Sequence, residues 1–174
     1  GRLSSVLEIN LKDGHQQEFH GDVSIGIVGS KLTLEGPINK GKTSFLVSGR
    51  RTYIDLLAKP FIRQSFKDSG SEGDTGYYFY DLNAKVNHTF SQRDRIYISV
   101  YGGNDKFYFN QKDVDSNTRD FTDNILGWGN LTGALRWNHV IHDKLFMNTT
   151  LTYSKYNLNT AISLGTEYDD KSTD

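Results

Sequence analysis

Residues 77–90 read YYFYDLNAKVNHTF, and this stretch decides the fold class. Its even positions are mostly aromatic or aliphatic, from Tyr78 through Val86 to Phe90, whereas its odd positions from residue 81 onward are polar. Successive side chains of a β-strand point to opposite faces of the sheet. A period of two therefore predicts a strand with one apolar face and one polar face.

The same alternation recurs along most of the chain, as in Ile96, Ile98 and Val100. We therefore predict an all-β fold, in which an antiparallel meander of strands is connected by turns. Residues 53–66 are the one helix candidate, and Pro60 limits that prediction to a turn or two. The predicted strands lie near residues 3–12, 18–28, 31–37, 43–53, 77–90, 94–109, 128–141 and 145–157.

The composition narrows the class of protein. The chain has 174 residues, the length of one ordinary domain, and it has no cysteine for a disulfide, a thiolate nucleophile or a zinc site. Its formal net charge of -1 argues against a nucleic-acid-binding domain, because such domains carry a basic excess. The chain starts at Gly1 and ends in a polar run, so we expect a piece of a longer protein.

The apolar runs are too short for a transmembrane helix, which needs about 18 consecutive apolar residues. A transmembrane β-barrel stays open, because its strands are only half apolar. The stretch from Tyr78 to Phe90, at about 3.3 Å per residue and a tilt of about 40°, rises roughly 30 Å, close to the apolar band and aromatic girdles of such barrels. The strand length therefore favours a barrel over a soluble β-sandwich.

The connections between the predicted strands differ in length. Short polar turns at one rim and long loops at the other are typical of outer-membrane barrels. A soluble β-sandwich also has one apolar face per strand, so it remains the alternative. The short turns are residues 37–42, 91–94 and 142–144, and the long links are residues 54–76 and 110–127.

Residues 36–43, GPINKGKT, match the phosphate-loop pattern G-x-x-x-x-G-K-[ST]. In a phosphate loop a helix follows the motif directly, and its N-terminus holds the phosphate. Here residues 44–51 alternate and include Gly49, which predicts a strand, and Pro37 lacks a backbone N–H. We interpret the motif as a hairpin turn, and a nucleotide-binding enzyme is the least favoured hypothesis.

Other candidate sites carry weaker signals. Residues 113–117, DVDSN, begin like a calcium loop, but Thr118 and Asn124 stand where an EF-hand needs Gly and Glu. A solvated loop is favoured, and a weak calcium site stays open. His139 and His142 are three residues apart near a strand end, so their side chains point to opposite faces. We predict no enzyme activity, no cofactor and no metal site.

Aromatic residues gather beside the predicted long loops. They are expected either to stack on sugar rings or to form an interfacial girdle. Arg50 and Arg51 lie at the same end of the strands, where they either face anionic lipid headgroups or are simply solvated. The aromatic residues are Tyr53, Tyr77, Phe107, Tyr108, Phe109, Phe121 and Trp128.

Several segments together resemble TonB-dependent outer-membrane receptors. The resemblance is to the branch that carries a carboxypeptidase-regulatory-like domain before the plug and often imports glycans or other large nutrients. GRLSSVLEINLKDG at residues 1–14 is similar to the end of the plug domain. Similarity to barrel strands covers residues 19–38, 44–53, 78–85, 127–130 and 135–138.

The resemblance implies that this chain is part of a transporter in the bacterial outer membrane. Residues 1–14 would end the plug, and residues 15–174 would form about seven strands of a barrel of about 22. The implied partners are the rest of the barrel and plug, TonB, outer-membrane lipid, a surface lipoprotein and the imported glycan, peptide or metal chelate, with no nucleic acid. TonB energises import, and no bond of the nutrient breaks.

Within this interpretation, side chains on the polar face and beside the loops bind the nutrient, whereas Val86, Ile98 and Leu135 face lipid. In the alternative, a soluble β-sandwich that binds carbohydrate, these apolar residues pack against a second sheet. The candidate binding residues are Tyr53, Asp81, Asn83, Lys85, Tyr97, Tyr101, Trp128, Asn130 and Arg136.

Overall fold

The computed structural model describes residues 12–114 and 118–168. Within these ranges it contains seven β-strands and one α-helix. In chain order they are β1 (His20–Ile25), β2 (Gly29–Asn39), β3 (Thr43–Thr52), α1 (Ile54–Asp68), β4 (Ser71–Thr89), β5 (Asp94–Val114), β6 (Thr118–His142) and β7 (Leu145–Tyr168).

The strands of the described residues form one antiparallel sheet, and their order in the sheet is their order in the chain. This confirms the predicted all-β meander. β1 and β7 lie at the two edges, so the sheet of the described residues is open. Every predicted strand within these ranges is present, whereas the predicted strand at 3–12 and most of the predicted plug segment 1–14 lie outside them.

The segment 36–43 is a β-hairpin, as predicted. It begins within β2, passes through a turn in which Gly41 has a φ of 71°, and ends where β3 starts at Thr43. The Lys42 N–H donates to the Asn39 carbonyl at 3.0 Å and closes the turn. A strand follows the motif instead of a helix, so the helix N-terminus that a phosphate loop needs is not formed here.

The long links are much shorter than predicted. β4 extends into the predicted link 54–76, and β5 and β6 extend into the predicted loop 110–127. Antiparallel pairing between β4 and β5 continues without a register shift as far as Ser71 opposite Asp113. Backbone hydrogen bonds between strands hold polar residues and glycines extended, because intrinsic strand propensity is weak beside cross-strand pairing.

The helix is the other departure from the prediction. α1 spans 15 residues, although Pro60 had limited the expectation to a turn or two. The helix packs on the sheet, since the ring centroids of Phe66 and Phe109 are 6.0 Å apart. Packing of this kind contributes most of the stability of a short helix, and it compensates for the backbone bond that a proline removes.

Thr52 is the last residue of β3, and beyond it the helix replaces β3 as the neighbour of β4. Its hydroxyl accepts the N–H of Phe79 at 2.9 Å and lies 3.4 Å from the Phe79 carbonyl oxygen. Beyond Phe79, α1 lies beside the part of β4 that extends past the end of β3. There Asp74 forms ion pairs with Lys59 at 3.2 Å and with Arg63 at 3.4 Å.

The sheet has almost no hydrophobic core. Among the described residues, Leu46 is the one buried side chain of the large hydrophobic types, with 7% of its surface exposed. The most deeply buried side chains are polar, namely Ser44 and Asn87. A β-sandwich needs two sheets packed face to face. The described residues form a single sheet, so they do not supply the two-layer packing of that alternative.

Candidate functional site

The pairing register decides which side chains share a face of the sheet. Asn83 lies opposite Tyr101, and Val86 lies opposite Ile98, which in turn lies opposite Leu135. Side chains directly opposite one another on antiparallel strands point to the same side. We call the side that carries Asn83 the polar face and the side that carries Val86 the apolar face.

The apolar face is open to its surroundings. Ile98 is 51% exposed, Leu135 is 42% exposed and Val86 is 36% exposed. Soluble monomers rarely expose a contiguous apolar patch of more than a few hundred Å². An apolar partner surface or lipid would cover this face. Other exposed residues of this face are Leu82, Val100, Leu131 and Leu151.

Of the predicted binding residues, all but Tyr53 lie on the polar face. Tyr53 immediately precedes α1, and its hydroxyl donates to the carbonyl of Gly26, so it ties the β1–β2 turn to the start of the helix. The structure thus sets Tyr53 apart from the others. Those that share the polar face are Asp81, Asn83, Lys85, Tyr97, Tyr101, Trp128, Asn130 and Arg136.

Asp81 holds a cation on this face. Arg50 Nη2 lies 2.6 Å and Arg50 Nε lies 2.8 Å from Asp81 Oδ2. The guanidinium also lies 4.9 Å from the ring centroid of Phe79, which orients it further. The side chain of Arg50 is half exposed although that of Asp81 is buried, so its remaining donors are presented to solutes. A planar guanidinium suits carboxylate and phosphate oxygens.

Residues 12–14 lie against the polar face through paired charges. Asp13 Oδ1 is 2.6 Å from Lys85 Nζ, and Lys12 Nζ is 2.7 Å from Glu35 Oε1. Lys12 and Asp13 carry opposite charges, and each pairs with a residue of the opposite sign on the sheet. The electrostatic pattern fixes the register of the segment on the sheet.

Gly14 makes the closest backbone contact between this segment and the sheet. The buried Ser44 hydroxyl donates to the Gly14 carbonyl at 2.7 Å, and Asn87 Nδ2 donates to Ser44 Oγ at 2.8 Å. A Cβ at Gly14 would lie 1.9 Å from the backbone oxygen of Phe45. The absence of a side chain is therefore what allows the two backbones to approach.

An open groove runs along the polar face. One part, about 580 Å³, is lined by residues that include Glu35, Arg50 and Asp81. An adjoining part, about 520 Å³, is lined by residues that include Tyr101 and Asn130. Asn83 lines both parts, so they are continuous. A groove with this many donors and acceptors suits a polar solute.

Toward the start of β4 the polar face becomes aromatic. The rings of Tyr77 and Trp128 are stacked, with centroids 6.2 Å apart. The Tyr77 hydroxyl donates to Asp105, and this hydrogen bond, with a smaller contribution from burial, raises the pKa of Tyr77. We define the aromatic wall as Tyr77, Phe79, Phe107, Phe109 and Trp128, which occupy the polar face of β4, β5 and β6.

The aromatic cluster of the sequence analysis is divided between the two faces. Tyr108 and Phe121 lie on the side opposite to the aromatic wall, where their rings cover Gly76 and Gly165 respectively. The prediction had grouped them with the wall because all lie close to one another in the chain. Their odd or even position within each strand separates them.

The two faces exchange character along the strands. From the level of Tyr80 onward, the apolar face carries Asn104, Lys106 and Asn157 beside aromatic residues such as Tyr108, while the polar face carries the aromatic wall and Leu158. Within the described pairings of β4 to β7, a register shift occurs only between Val140 and His142, far from this level. The exchange is therefore a property of the sequence pattern and not of a β-bulge.

The aromatic wall could have been predicted from a change in which positions of a strand, odd or even, are apolar. In β7 the apolar residues occupy odd positions at Leu151 and Tyr153, then even positions at Leu158, Ile162 and Leu164. The prediction ended the strand near residue 157, where the phase changes. An uninterrupted strand whose faces change environment produces the same pattern.

The described residues contain neither a metal-binding cluster nor a membrane-spanning helix. The predicted calcium loop at 113–117 includes residues 115–117, which lie outside the described ranges. Within those ranges no cluster of His, Asp and Glu side chains is placed to hold a metal ion. The helical residues described do not form a stretch with the length and hydropathy needed to cross a bilayer.

No family model, curated protein or solved structure matches this chain. The two faces of the sheet, and the side chains that they expose, are the features that bear on its function.

Proposed function

We propose that the chain forms part of a transmembrane β-barrel in the bacterial outer membrane, belonging to a TonB-dependent transporter that binds and imports a nutrient. In this proposal the apolar face contacts lipid, and the polar face lines an aqueous lumen. The observation that carries the proposal is the exposed apolar face of a sheet without a hydrophobic core. Lipid supplies the apolar environment that this face lacks.

The height of the apolar face supports the proposal. Between Tyr80 on β4 and Phe90, the residue after this strand, the face carries Leu82, Ala84 and Val86, followed by His88 near the limit. At about 3.3 Å per residue and a tilt of about 40°, this distance spans about 25 Å, the height of the lipid-facing band of such barrels. Aromatic side chains mark both limits, Tyr80 at one and Phe90 with Trp137 at the other, where interfacial girdles lie.

The change in side-chain character along the strands also supports a membrane position for the apolar band. Where the apolar band ends, the strands continue without interruption to Ser71 on β4 and to Val114 on β5. Their outer side there mixes polar residues such as Lys106 and Asn110 with aromatic ones such as Tyr108, as expected of the membrane interface and the water beyond it. Their inner side carries the aromatic wall, which places ring faces at the mouth of the lumen.

The proposed nutrient is a glycan, a peptide or a metal chelate. The aromatic wall offers flat surfaces for stacking, and the groove below it offers the Arg50–Asp81 pair with Asn83 and Asn130 for hydrogen bonding. Both contributions are non-covalent, so the cargo is bound and released unchanged. TonB, acting on the plug, supplies the energy in this proposal.

Two neighbouring positions test the proposal in the intact protein. This chain has no cysteine, so Leu82→Cys and Asn83→Cys each introduce its single site for a spin label, in a background where cysteines elsewhere in the intact protein are replaced by serine. In lipid vesicles, we expect the label at 82 to be relaxed by oxygen, which partitions into hydrocarbon. We expect the label at 83 to be relaxed by a nickel chelate, which stays in water.

The reverse pattern would show that the faces are assigned the wrong way round. Labels that both respond to the nickel chelate alone would show that the apolar face does not contact lipid, and the transporter proposal would then fail.

A further inference from the structure

Arg50 and Arg51 are consecutive in β3 and therefore point to opposite faces. Arg50 is paired with Asp81 on the polar face. Arg51 lies on the apolar face, where its guanidinium is 5.6 Å from the ring centroid of Tyr78. Within the described residues, Arg51 makes no ion pair with a carboxylate. Its charge is open to a partner outside the sheet.

Lys106 and Lys155 share this face near the same limit of the apolar band. Lys106 lies opposite Tyr78, and Lys155 lies opposite Leu131. Neither lysine forms an ion pair within residues 12–114 and 118–168. With Arg51 they stand on β3, β5 and β7, two strands apart in each case. Along the strands, Arg51 and Lys106 are offset by two residues and Lys106 and Lys155 by four, so the Cα separations are roughly 12 Å and 16 Å. We call Arg51, Lys106 and Lys155 the basic rim.

The basic rim has a single sign of charge. On the described strands, the apolar face carries no carboxylate from the level of Val86 to the level of Tyr108. The first carboxylates beyond it are Asp74, which is already paired with α1, and Asp123. At the opposite limit of the band, the turn segments mix both signs, as in Asp143 and Lys144.

The basic rim lies at the limit of the apolar band, where the proposed placement puts the lipid headgroups. Lys155 is level with Leu82 and Leu131 at the edge of the apolar band, and Lys106 is level with Tyr78 just beyond it. Long cationic side chains at this depth lay their stems on apolar surface and place the charge among the headgroups.

The adjacent helix exposes apolar side chains that are close to Arg51 in the chain. α1 begins at Ile54, three residues after Arg51, and Leu56, Leu57 and Phe61 are 55%, 50% and 78% exposed. An amphipathic helix that exposes both apolar and cationic side chains is suited to the boundary between headgroups and acyl chains. These apolar neighbours favour an amphiphile over a free anion.

We propose that the basic rim binds the phosphate groups of anionic lipid headgroups. This inference rests on the proposed membrane location, and it adds an orientation: the rim beside the aromatic wall faces the leaflet richer in phosphate-bearing lipid. The recognition is electrostatic, between three unpaired cations and headgroup phosphates, next to an apolar surface that holds the acyl chains.

The test uses the intact protein and a fluorescent lipid A that carries two phosphates, in vesicles of phosphatidylcholine. We expect the combined variant Arg51→Gln, Lys106→Gln and Lys155→Gln to bind lipid A about 100-fold more weakly, since each interfacial cation contributes roughly fivefold. The matched control Lys40→Gln, Lys42→Gln and Lys144→Gln removes the same charge at the opposite turns, and we expect it to bind as the original protein does.

Equal binding by the original protein and the basic-rim variant would overturn the inference. Full displacement of lipid A by millimolar inorganic phosphate would also overturn it, because the site would then be one for free phosphate. Spin labels at 82 and 83 are measured on the same samples. Correct labelling without lipid selectivity refutes only the basic rim, whereas incorrect labelling refutes the membrane location and the rim together.

Discussion

At the scale of single residues, one step along a strand moves a side chain between two environments. Arg50 and Arg51 show the consequence for charge, because the first is neutralised by Asp81 and the second lies on the other face. Gly14 shows the consequence for size, because the missing side chain is what brings residues 12–14 against the sheet. Charge pairing and backbone packing on this sheet therefore depend on the residue type at individual positions.

Gly14→Ala should detach residues 12–14 from the sheet. The new Cβ would meet the backbone oxygen of Phe45 at 1.9 Å, and backbone cannot move aside as a flexible side chain can. Overpacking of this kind costs roughly 1–3 kcal/mol. Cleavage after Lys12 by trypsin requires the segment to open, so we expect it to accelerate about 10-fold.

Gly133→Ala is the matched control, because a Cβ at Gly133 meets nothing within 4 Å. Its cleavage rate after Lys12 should equal that of the original protein. If Gly14→Ala is cleaved no faster than this control, the Ser44–Gly14 contact does not hold the segment in place.

At the scale of the elements, β4 to β7 each pass through two environments. The lower part of each strand has its apolar side chains on one face, and the upper part places apolar side chains on the other face as well, with the pairing unbroken between the two parts. α1 occupies the place beside β4 that β3 leaves free beyond Thr52. Each of these strands is thus longer than the stretch of sequence in which apolar and polar residues alternate in one phase.

Val100→Lys should destabilise the protein in a bilayer, whereas Ser99→Lys should not. Val100 lies in the middle of the apolar band, opposite Ala84, and Ser99 lies on the polar face opposite Lys85. A lysine that faces lipid near the midplane costs about 2–4 kcal/mol, and a lysine that faces the lumen costs far less. The measurement is the free energy of unfolding from lipid vesicles in denaturant.

The two variants add the same charge at adjacent positions, so the comparison removes the effect of net charge. Equal losses for the two lysine variants would contradict the assignment of faces on β5, and a larger loss at Ser99 would reverse it.

At the scale of the whole molecule, the described sheet lacks the interior that stabilises a soluble domain. Its apolar side chains are exposed, and its edge strands β1 and β7 each leave a row of backbone groups unpaired on one side. A bilayer and further strands of a barrel would satisfy both needs. The stability of this fold is therefore expected to depend on its surroundings.

The two tryptophans report on the two sides of the sheet. Trp128 belongs to the aromatic wall, and Trp137 lies on the apolar face at the far limit of the band. In vesicles that contain brominated lipid, we expect the fluorescence of Trp137 to be quenched by the lipid and that of Trp128 by aqueous iodide. Trp128→Phe and Trp137→Phe each leave one reporter.

Preferential quenching of Trp128 by brominated lipid would place the aromatic wall in the membrane. That outcome would contradict both the proposed lumen and the height assigned to the apolar band.

Much of the site was predictable, because alternation is a local property. The polar face was correctly assembled from Asp81, Asn83 and Lys85, since residues two apart in one strand must share a face. Tyr53 was grouped with them by its position near a loop, and its hydroxyl contact with Gly26 brings together residues distant in the chain. A contact between residues so far apart in the chain cannot be predicted from a local sequence pattern.

By itself the sequence determined the strands, the short turns and the two faces, because side-chain alternation and turn residues act over a few neighbouring positions. Only the tertiary structure decided that α1 persists through Pro60, that β5 and β6 pair across the predicted loop 110–127, and which residues lie opposite one another. Backbone hydrogen bonds between strands and packing against β4 hold these features in place. Those interactions join residues far apart in the chain, so they leave no signature in the local pattern.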